Sequence, residues 1–340
     1  MSTASPKPKP AASRLPALLN PNQPVKSLSI AFWLWKAVLL IVITNCPGLG
    51  YDTSSSLLPF QGRGSVDASA LQHKHASLAI PLKFVRWDSI YFAHIAQIGY
   101  VFEQEWAFSS TYGYAVNALS SCMFPFPSGR LLTFAVLFTS AGYSQIAEFA
   151  VSAVVLSHVT HYLSVLSLYR LSINVFGQDT ERAKLIAFLS AALHIICPAG
   201  AFLSAPYAES IFSFFNITGF YVYSSSHHDY STGKQFFSHF KLIVSGCLFA
   251  LATAVRSNGV LSGILLAHDA VKYSYDIITR RSGAVFRLGV ILLSGCIVAL
   301  GLLTPQYLAY SSYCTDENIS RPWCRSLVPS IYGWVQTHYW

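Results

Sequence analysis

The chain has 340 residues, of which 53% are hydrophobic and only 11% charged, and its formal net charge is +8. Soluble domains carry about twice that share of charge, so the composition excludes an ordinary soluble globule and calls for membrane spans of roughly 20 apolar residues each. The basic residues are scattered over a tail and loops, not striped along one element, which argues against nucleic acid as a partner and fits positive-inside membrane topology.

Residues 1–26 are Pro-rich, hold Lys7, Lys9, Arg14 and Lys26, and read as a disordered cytosolic tail. The run SLSIAFWLWKAVLLIVITNC at 27–46 is the expected first transmembrane helix. Asn45-Cys46-Pro47-Gly48 offers no small-residue cleavage site, so the helix is expected to be retained. Residues 47–145 are too polar to span cleanly and are expected to form a long lumenal loop with interfacial helices. A bundle over 146–305 follows, with apolar runs at 146–172, 185–204, 207–224, 241–256, 258–271 and 285–305. Arg182 and Lys184 in one connection, and Lys272, Arg280, Arg281 and Arg287 in another, place those loops in the cytosol.

The short runs around Arg256 leave two readings, either two helices joined at the Asn258-Gly259 turn or one bent helix with Arg256 at mid-membrane. With two helices, four polar segments converge on one face: residues 86–108, Ser204 to Ser210, the Arg256 turn and the lumenal segment 306–340. The lumenal assignment has independent support in the sequon Asn318-Ile319-Ser320 and in Cys314 and Cys324, which are close enough to pair in an oxidising compartment. A second sequon at Asn216 sits inside an apolar run and is expected to stay unused. The remaining cysteines show no metal-ligand spacing, and there is no Gly-rich phosphate loop or Ser-His-Asp order, so no metal and no cofactor are expected.

The stretch RWDSIYFAHIAQIGYVFEQEWAF, residues 86–108, concentrates charge among aromatics beside membrane helices, where ionisable groups are costly and mark a site by default. Asp88 precedes an apolar helical run, so it reads as an N-cap, as a general base on a hydroxyl, or as both, since the two roles are compatible. Glu103 and Glu105 cannot face the same way in an extended segment, and the alternative for either is a solvated carboxylate. Pro206-Tyr207-Ala208-Glu209 reads as a helix start with Pro in the first turn and Glu209 against the helix dipole. Arg256 suits a phosphate, with snorkelling to headgroups as the alternative.

Four blocks carry a family resemblance: residues 86–108, LSAPYAESIF at 203–212, ATAVRSNG at 252–259 and PWCRSLVPSIYGWVQTHYW at 322–340. Together they resemble the GPI mannosyltransferase 2 family, in the same order and over most of residues 80–340. The resemblance implies an all-α polytopic membrane protein with a GT-C-like helical bundle and a lumenal active site in the endoplasmic reticulum. It implies transfer of the second mannose, α-1,6, from a dolichyl-phosphate-mannose donor to a GPI precursor lipid acceptor, with a small accessory membrane subunit as partner. Such a donor needs no nucleotide. The β-linked donor and α product mean inversion, which needs one base and an in-line attack.

Asp88, Glu103, Glu209 and Arg256 match the family blocks position by position. On this reading Asp88 and Glu103 are the catalytic candidates, and Arg86, Trp87, Glu209, Arg256, Asn258, Gln336 and Tyr339 the substrate-binding ones. The sequence departs from the family in two places: Ala107-Phe108-Ser109-Ser110 stands where Phe-Pro often follows, and the family runs on beyond Tyr339-Trp340, so a longer chain is expected. The competing readings are a related lipid-linked-sugar glycosyltransferase and a transporter, whose ionisable residues would line a path at mid-depth.

Overall fold

The computed structural model describes residues 23–46, 80–124, 144–279, 285–315 and 321–339. Among these residues there is no strand, and the chain forms ten α-helices with short 3-10 turns between them. We label them α1 (Pro24–Asn45), α2 (Ser89–Ile98), α3 (Ser110–Met123), α4 (Ser144–Phe176), α5 (Glu181–Ile195), α6 (Glu209–Ser231), α7 (Gln235–Val255), α8 (Gly263–Ile278), α9 (Val285–Tyr313) and α10 (Ile331–His338). The fold is therefore an all-α membrane protein with several spans. Most of the expected N-terminal tail, Arg280, Arg281 and the sequon at Asn318 lie outside the described residues.

Each of the seven apolar runs contains a helix, but among the described residues four helices are long and apolar enough to cross a membrane: Pro24–Asn45, Ala147–Phe176, Gln235–Val255 and Val285–Tyr313. The 15 residues of α5 and 16 of α8 reach about 22–24 Å, short of the roughly 30 Å hydrocarbon core. The run expected at 185–204 stops at Ile195 because 196–208 folds into turns, and the last run extends through Pro305 to Tyr313. Local chemistry sets several ends. Thr180 caps α5 by accepting from Ala183 N at 3.1 Å, Ser109 caps α3 by accepting from Tyr112 N at 3.1 Å, and Pro24 opens α1.

The break at Arg256 decides between the two readings of residues 241–271. Arg256 is extended, with φ −147° and ψ 125°, and a 3-10 turn Ser257–Ser262 leads into α8. Gly259 is required there, since a Cβ would come within 2.6 Å of the Thr253 backbone nitrogen. The chain thus makes two helices, with the arginine at their junction.

The heart of the bundle is α6 packed on α7, flanked by α4 and α9. With lipid around them, apolar helices gain little from hydrophobic burial against one another, so close backbone approach between small residues matters. Gly301 of α9 lies so near α7 that a Cβ would stand 2.3 Å from the Ala250 carbonyl oxygen. Leu242, Phe249, Leu266, Ile291 and Val298 fill the core on the α7–α9 side. A second core, including Val85, Phe92, Tyr112, Phe149, Tyr207 and Val255, joins α2 and α3 to α4, α6 and α7. The described part of the long polar segment is thereby fixed against one end of the bundle.

Gathering of the ionisable residues at a single face, as the sequence suggested, is only part of the pattern. Lys36, Arg287 and Asp269 are 1%, 1% and 4% exposed inside the bundle. A Lys at the centre of a membrane helix, where Lys36 stands, costs about 2.5–3.5 kcal/mol, against which its protein partners act. Lys36 Nζ donates to Leu203 O and Ser204 Oγ, and Asp269 accepts from Tyr223 at 2.8 Å. Arg287 donates to Ser238 Oγ at 2.7 Å and stacks over Tyr230 at 4.0 Å. Asn216 of the internal sequon accepts from Ser262 between helices, at 2.6 Å.

Candidate functional site

The corner Arg86-Trp87-Asp88 is built by hydrogen bonds that converge on one carbonyl. Arg86 O accepts from Ser89 N at 3.1 Å, Ser89 Oγ at 2.6 Å and Tyr207 OH at 2.8 Å. Trp87, between them, has φ 49°, a left-handed backbone that is an outlier for a bulky L-residue. Its side chain is 48% exposed and its ring stands 6.5 Å from that of Phe202, which meets Tyr207 at 4.9 Å.

Asp88 occupies the N-cap position of α2, but its backbone is already helical, at φ −60° and ψ −20°, and its side chain makes no capping bond. The capping reading is corrected by this geometry, because a cap needs extended backbone to turn its oxygen onto the N2 or N3 amide. The carboxylate instead lies at the surface beside protein. Partial burial raises its pKa above the ordinary carboxylate range, and the nearby Arg256 charge pulls against that shift. Tyr91, one turn further on, stacks on Phe108 at 4.5 Å. Its phenol is pushed up by burial first and then by the Asp88 and Glu105 carboxylates.

Arg256 and Glu209 form an ion pair through Nη1 and Oε1, with the side chains 43% and 32% exposed. A pair this open contributes at most about 1 kcal/mol, so its main consequence is orientation. Glu209 is the first residue of α6 and lies where the dipole favours an anion. Pro206 precedes the helix instead of lying in its first turn, since Tyr207 N bonds back to Ala205 O at 2.8 Å. Ser109 Oγ donates to Ala254 O at 2.9 Å, tying α3 to the helix end that carries Arg256. The departure at Ser109 thus supplies a cap and an interhelical bond.

Glu103 and Glu105 both belong to the 3-10 turn Glu103–Ala107, so the alternation that an extended segment would impose does not apply. Glu105 is not solvated. It is 2% exposed, accepts from Val101 N and Phe102 N at 2.7 and 2.9 Å, and pairs with His94. Glu103, 9% exposed, faces the C-terminal segment. It forms an ion pair with Arg321, Nε at 3.2 Å, and accepts from Trp334 Nε1 at 3.2 Å, Trp323 Nε1 at 3.4 Å and Tyr339 OH at 3.5 Å. A disulfide joins Cys314 to Cys324 beside this clamp, and Trp106, Trp323, Ile331 and Val335 pack beneath it.

The structure therefore brings Asp88, Glu209 and Arg256 together. It sets Glu103 and Tyr339 in a separate cluster with Arg321, Trp323 and Trp334. Asn258 is exposed in the turn after Arg256, and Gln336 is exposed on α10. Among the described residues no group of three or more His, Cys, Asp or Glu side chains has metal-binding arrangement. Sequence reasoning passed over Lys36, Tyr207 and Ser109. A lone lysine inside an apolar run was a readable signal, whereas the bonds of Tyr207 and Ser109 are contacts between distant segments.

Fold and site together describe a polytopic helical membrane protein that carries Asp88, Glu209 and Arg256 at one end of its bundle. A family model for Mannosyltransferase (PIG-V) matches residues 29–340. The chain belongs to that family, and its class is glycosyltransferase. It is 53% identical to a GPI mannosyltransferase 2 of Aspergillus oryzae, over 96% of this chain and 68% of the relative. The corresponding protein of Aspergillus fumigatus is 47% identical over 95% of this chain and 63% of its own length. That of Gibberella zeae is 32% identical, over 94% and 67%. The chain thus spans about two thirds of the length of these relatives. No solved structure matches it.

Proposed function

We propose that this chain carries the catalytic end of an enzyme that transfers the second mannose, in α-1,6 linkage, from dolichyl-phosphate-mannose to the glycosylphosphatidylinositol precursor. Asp88 takes the proton from the 6-hydroxyl of the first mannose as that oxygen bonds to the anomeric carbon of the donor. The bond from that carbon to the phosphate oxygen breaks, the electron pair leaves on dolichyl phosphate, and the sugar inverts. Arg256, oriented by Glu209, meets the charge growing on the phosphate, where a fixed cation acts with little reorganisation. The observation that carries this reading is the geometry at the bundle end, where Tyr207 bonds the Arg86 carbonyl beside Asp88 and, two residues on, Glu209 pairs with Arg256.

Glu103 acts on this view from outside the reacting centre, by holding the C-terminal segment. The site faces the lumen of the endoplasmic reticulum, with the N-terminus cytosolic and a glycan on Asn318. A small accessory membrane subunit completes the assembly. The deciding experiment supplies this chain and a full-length version to cells lacking the second mannosylation, then assays microsomes with defined acceptors. Transfer to a one-mannose glycosylphosphatidylinositol precursor supports the proposal. Transfer only to another lipid-linked acceptor replaces it with a related glycosyltransferase, and failure of the full-length version to transfer any sugar rejects it. A glycosidase-sensitive mass shift lost in Asn318→Gln tests the topology, with side-specific labelling of that segment to locate it when no glycan is present.

A further inference from the structure

Lys36 sits in the middle of α1, 1% exposed, with no carboxylate in ion-pair contact among the described residues. Its ammonium donates to Leu203 O at 2.8 Å and to Ser204 Oγ at 2.7 Å, and lies 5.4 Å from the ring centroid of Phe32. The residues it holds form the turn 200–208 that launches α6. Ser204 Oγ passes a hydrogen bond to Gly200 O at 2.8 Å, and Ser210 Oγ returns one to Leu203 O at 3.0 Å. Ser157 of α4 donates to Ala205 O at 2.8 Å from the other side. Gly200 is packed against Leu39 and Trp35 of α1, where a Cβ would meet Leu39 at 3.2 Å.

The same turn delivers two groups to the candidate site. Tyr207 OH reaches Arg86 O at 2.8 Å, and Glu209 holds Arg256. The turn thus connects two sets of contacts, those of Lys36 at Leu203 and Ser204 and those of Tyr207 and Glu209 at the Arg86–Asp88 corner and the arginine, through the backbone of residues 203–209. We infer that Lys36 is a positioning residue for the transfer reaction, holding the 200–208 turn so that Tyr207 and Glu209 fix the corner and the cation in register. This inference rests on the proposed roles of Asp88 and Arg256. An ammonium suits the task because it presents three donors on a long stem, enough to serve a carbonyl and a hydroxyl at once.

The test uses the full-length protein in lipid nanodiscs, with dolichyl-phosphate-mannose and a one-mannose acceptor. Lys36→Met should lower kcat tenfold or more while KM for either substrate changes less than threefold and the melting temperature holds. Lys36→Arg should recover part of the rate. Tyr207→Phe, a hydroxyl deletion at the other end of the turn, should also lower kcat, and the double variant should lose less than the product of the two losses, as coupled sites do. Parental kcat in either single variant overturns the inference. So do fully multiplicative losses, or a Lys36→Met defect that follows melting and is not relieved by Arg. Asp88→Asn, run alongside, separates the levels: if it abolishes transfer while Lys36→Met does not, only the Lys36 inference fails. If Asp88→Asn transfers at the parental rate, the site reading fails first.

Discussion

Arg256 closes α7 and Glu209 opens α6, and the two side chains pair across 47 residues of chain. The same arginine acts on Asp88, whose carboxyl burial raises and Arg256 lowers. A base must be ionised to work, so transfer should fail as pH falls through the raised Asp88 pKa. Arg256→Ala removes the lowering influence and should move that acid limb of kcat/KM to higher pH. It should also cut the rate by about 10²- to 10³-fold through lost charge stabilisation, with Arg256→Lys recovering a part. An acid limb that stays in place in Arg256→Ala would show that Asp88 does not set it.

Asp88→Asn should abolish nearly all transfer, since general-base catalysis typically contributes about 10²- to 10⁴-fold. The stability sign is separable from this. A folded-state pKa raised by burial means the ionised carboxylate costs stability above its unfolded pKa, and protonation relieves that cost. Asp88→Asn should therefore melt at or above the parental temperature at neutral pH. Asp88→Ala should escape the capping penalty of about 0.5–2 kcal/mol, because no capping bond exists to lose. A marked loss of melting temperature in Asp88→Ala would restore the capping role.

Glu103→Ala should loosen the C-terminal segment. It removes the acceptor of two tryptophan N–H groups, at roughly 1–3 kcal/mol for each buried donor left unmet, and the ion-pair partner of the exposed Arg321. Limited proteolysis should then cut near residues 321–339 faster than in the parent, and faster still once the Cys314–Cys324 bond is reduced. Unchanged cleavage in Glu103→Ala would mean that the clamp does not hold the segment.

Trp87 is held at φ 49°, where an L-residue costs about 1–2 kcal/mol relative to glycine. Trp87→Gly should therefore melt higher than Trp87→Ala, while both raise KM for the acceptor if the exposed ring contacts it. Calorimetry and acceptor titration check the two halves separately. A Gly variant less stable than Ala would show that the left-handed corner is not kept.

Most of the helical order was readable because apolar run lengths report on lipid directly, and the Arg256-Ser257-Asn258-Gly259 sequence marked its own break; the expected basic loops were not, since Arg182 and Lys184 lie in α5, Lys272 in α8 and Arg287 in α9. What stayed hidden was set by contacts between distant segments. Glu105 reads as a surface charge until the 3-10 turn folds it back onto the Val101 and Phe102 amides. Glu103 reads as a partner of Asp88 until α2 separates them and the 322–340 block arrives to claim it. Asp88 before a helix reads as a cap because sequence carries no ψ angle, and that angle decides which way the carboxylate turns.

The approach of Gly301 to the Ala250 carbonyl also divides α9 into positions that evolution can and cannot rewrite. Leu292, Leu293, Leu300 and Leu303 face outward, and any greasy side chain serves there. At 301 a single methyl would wedge the helix from its neighbour and carry the displacement along α7 toward Arg256. Variation among relatives should thus run freely on the outer face of this helix and fall silent at one residue that contributes no side chain at all.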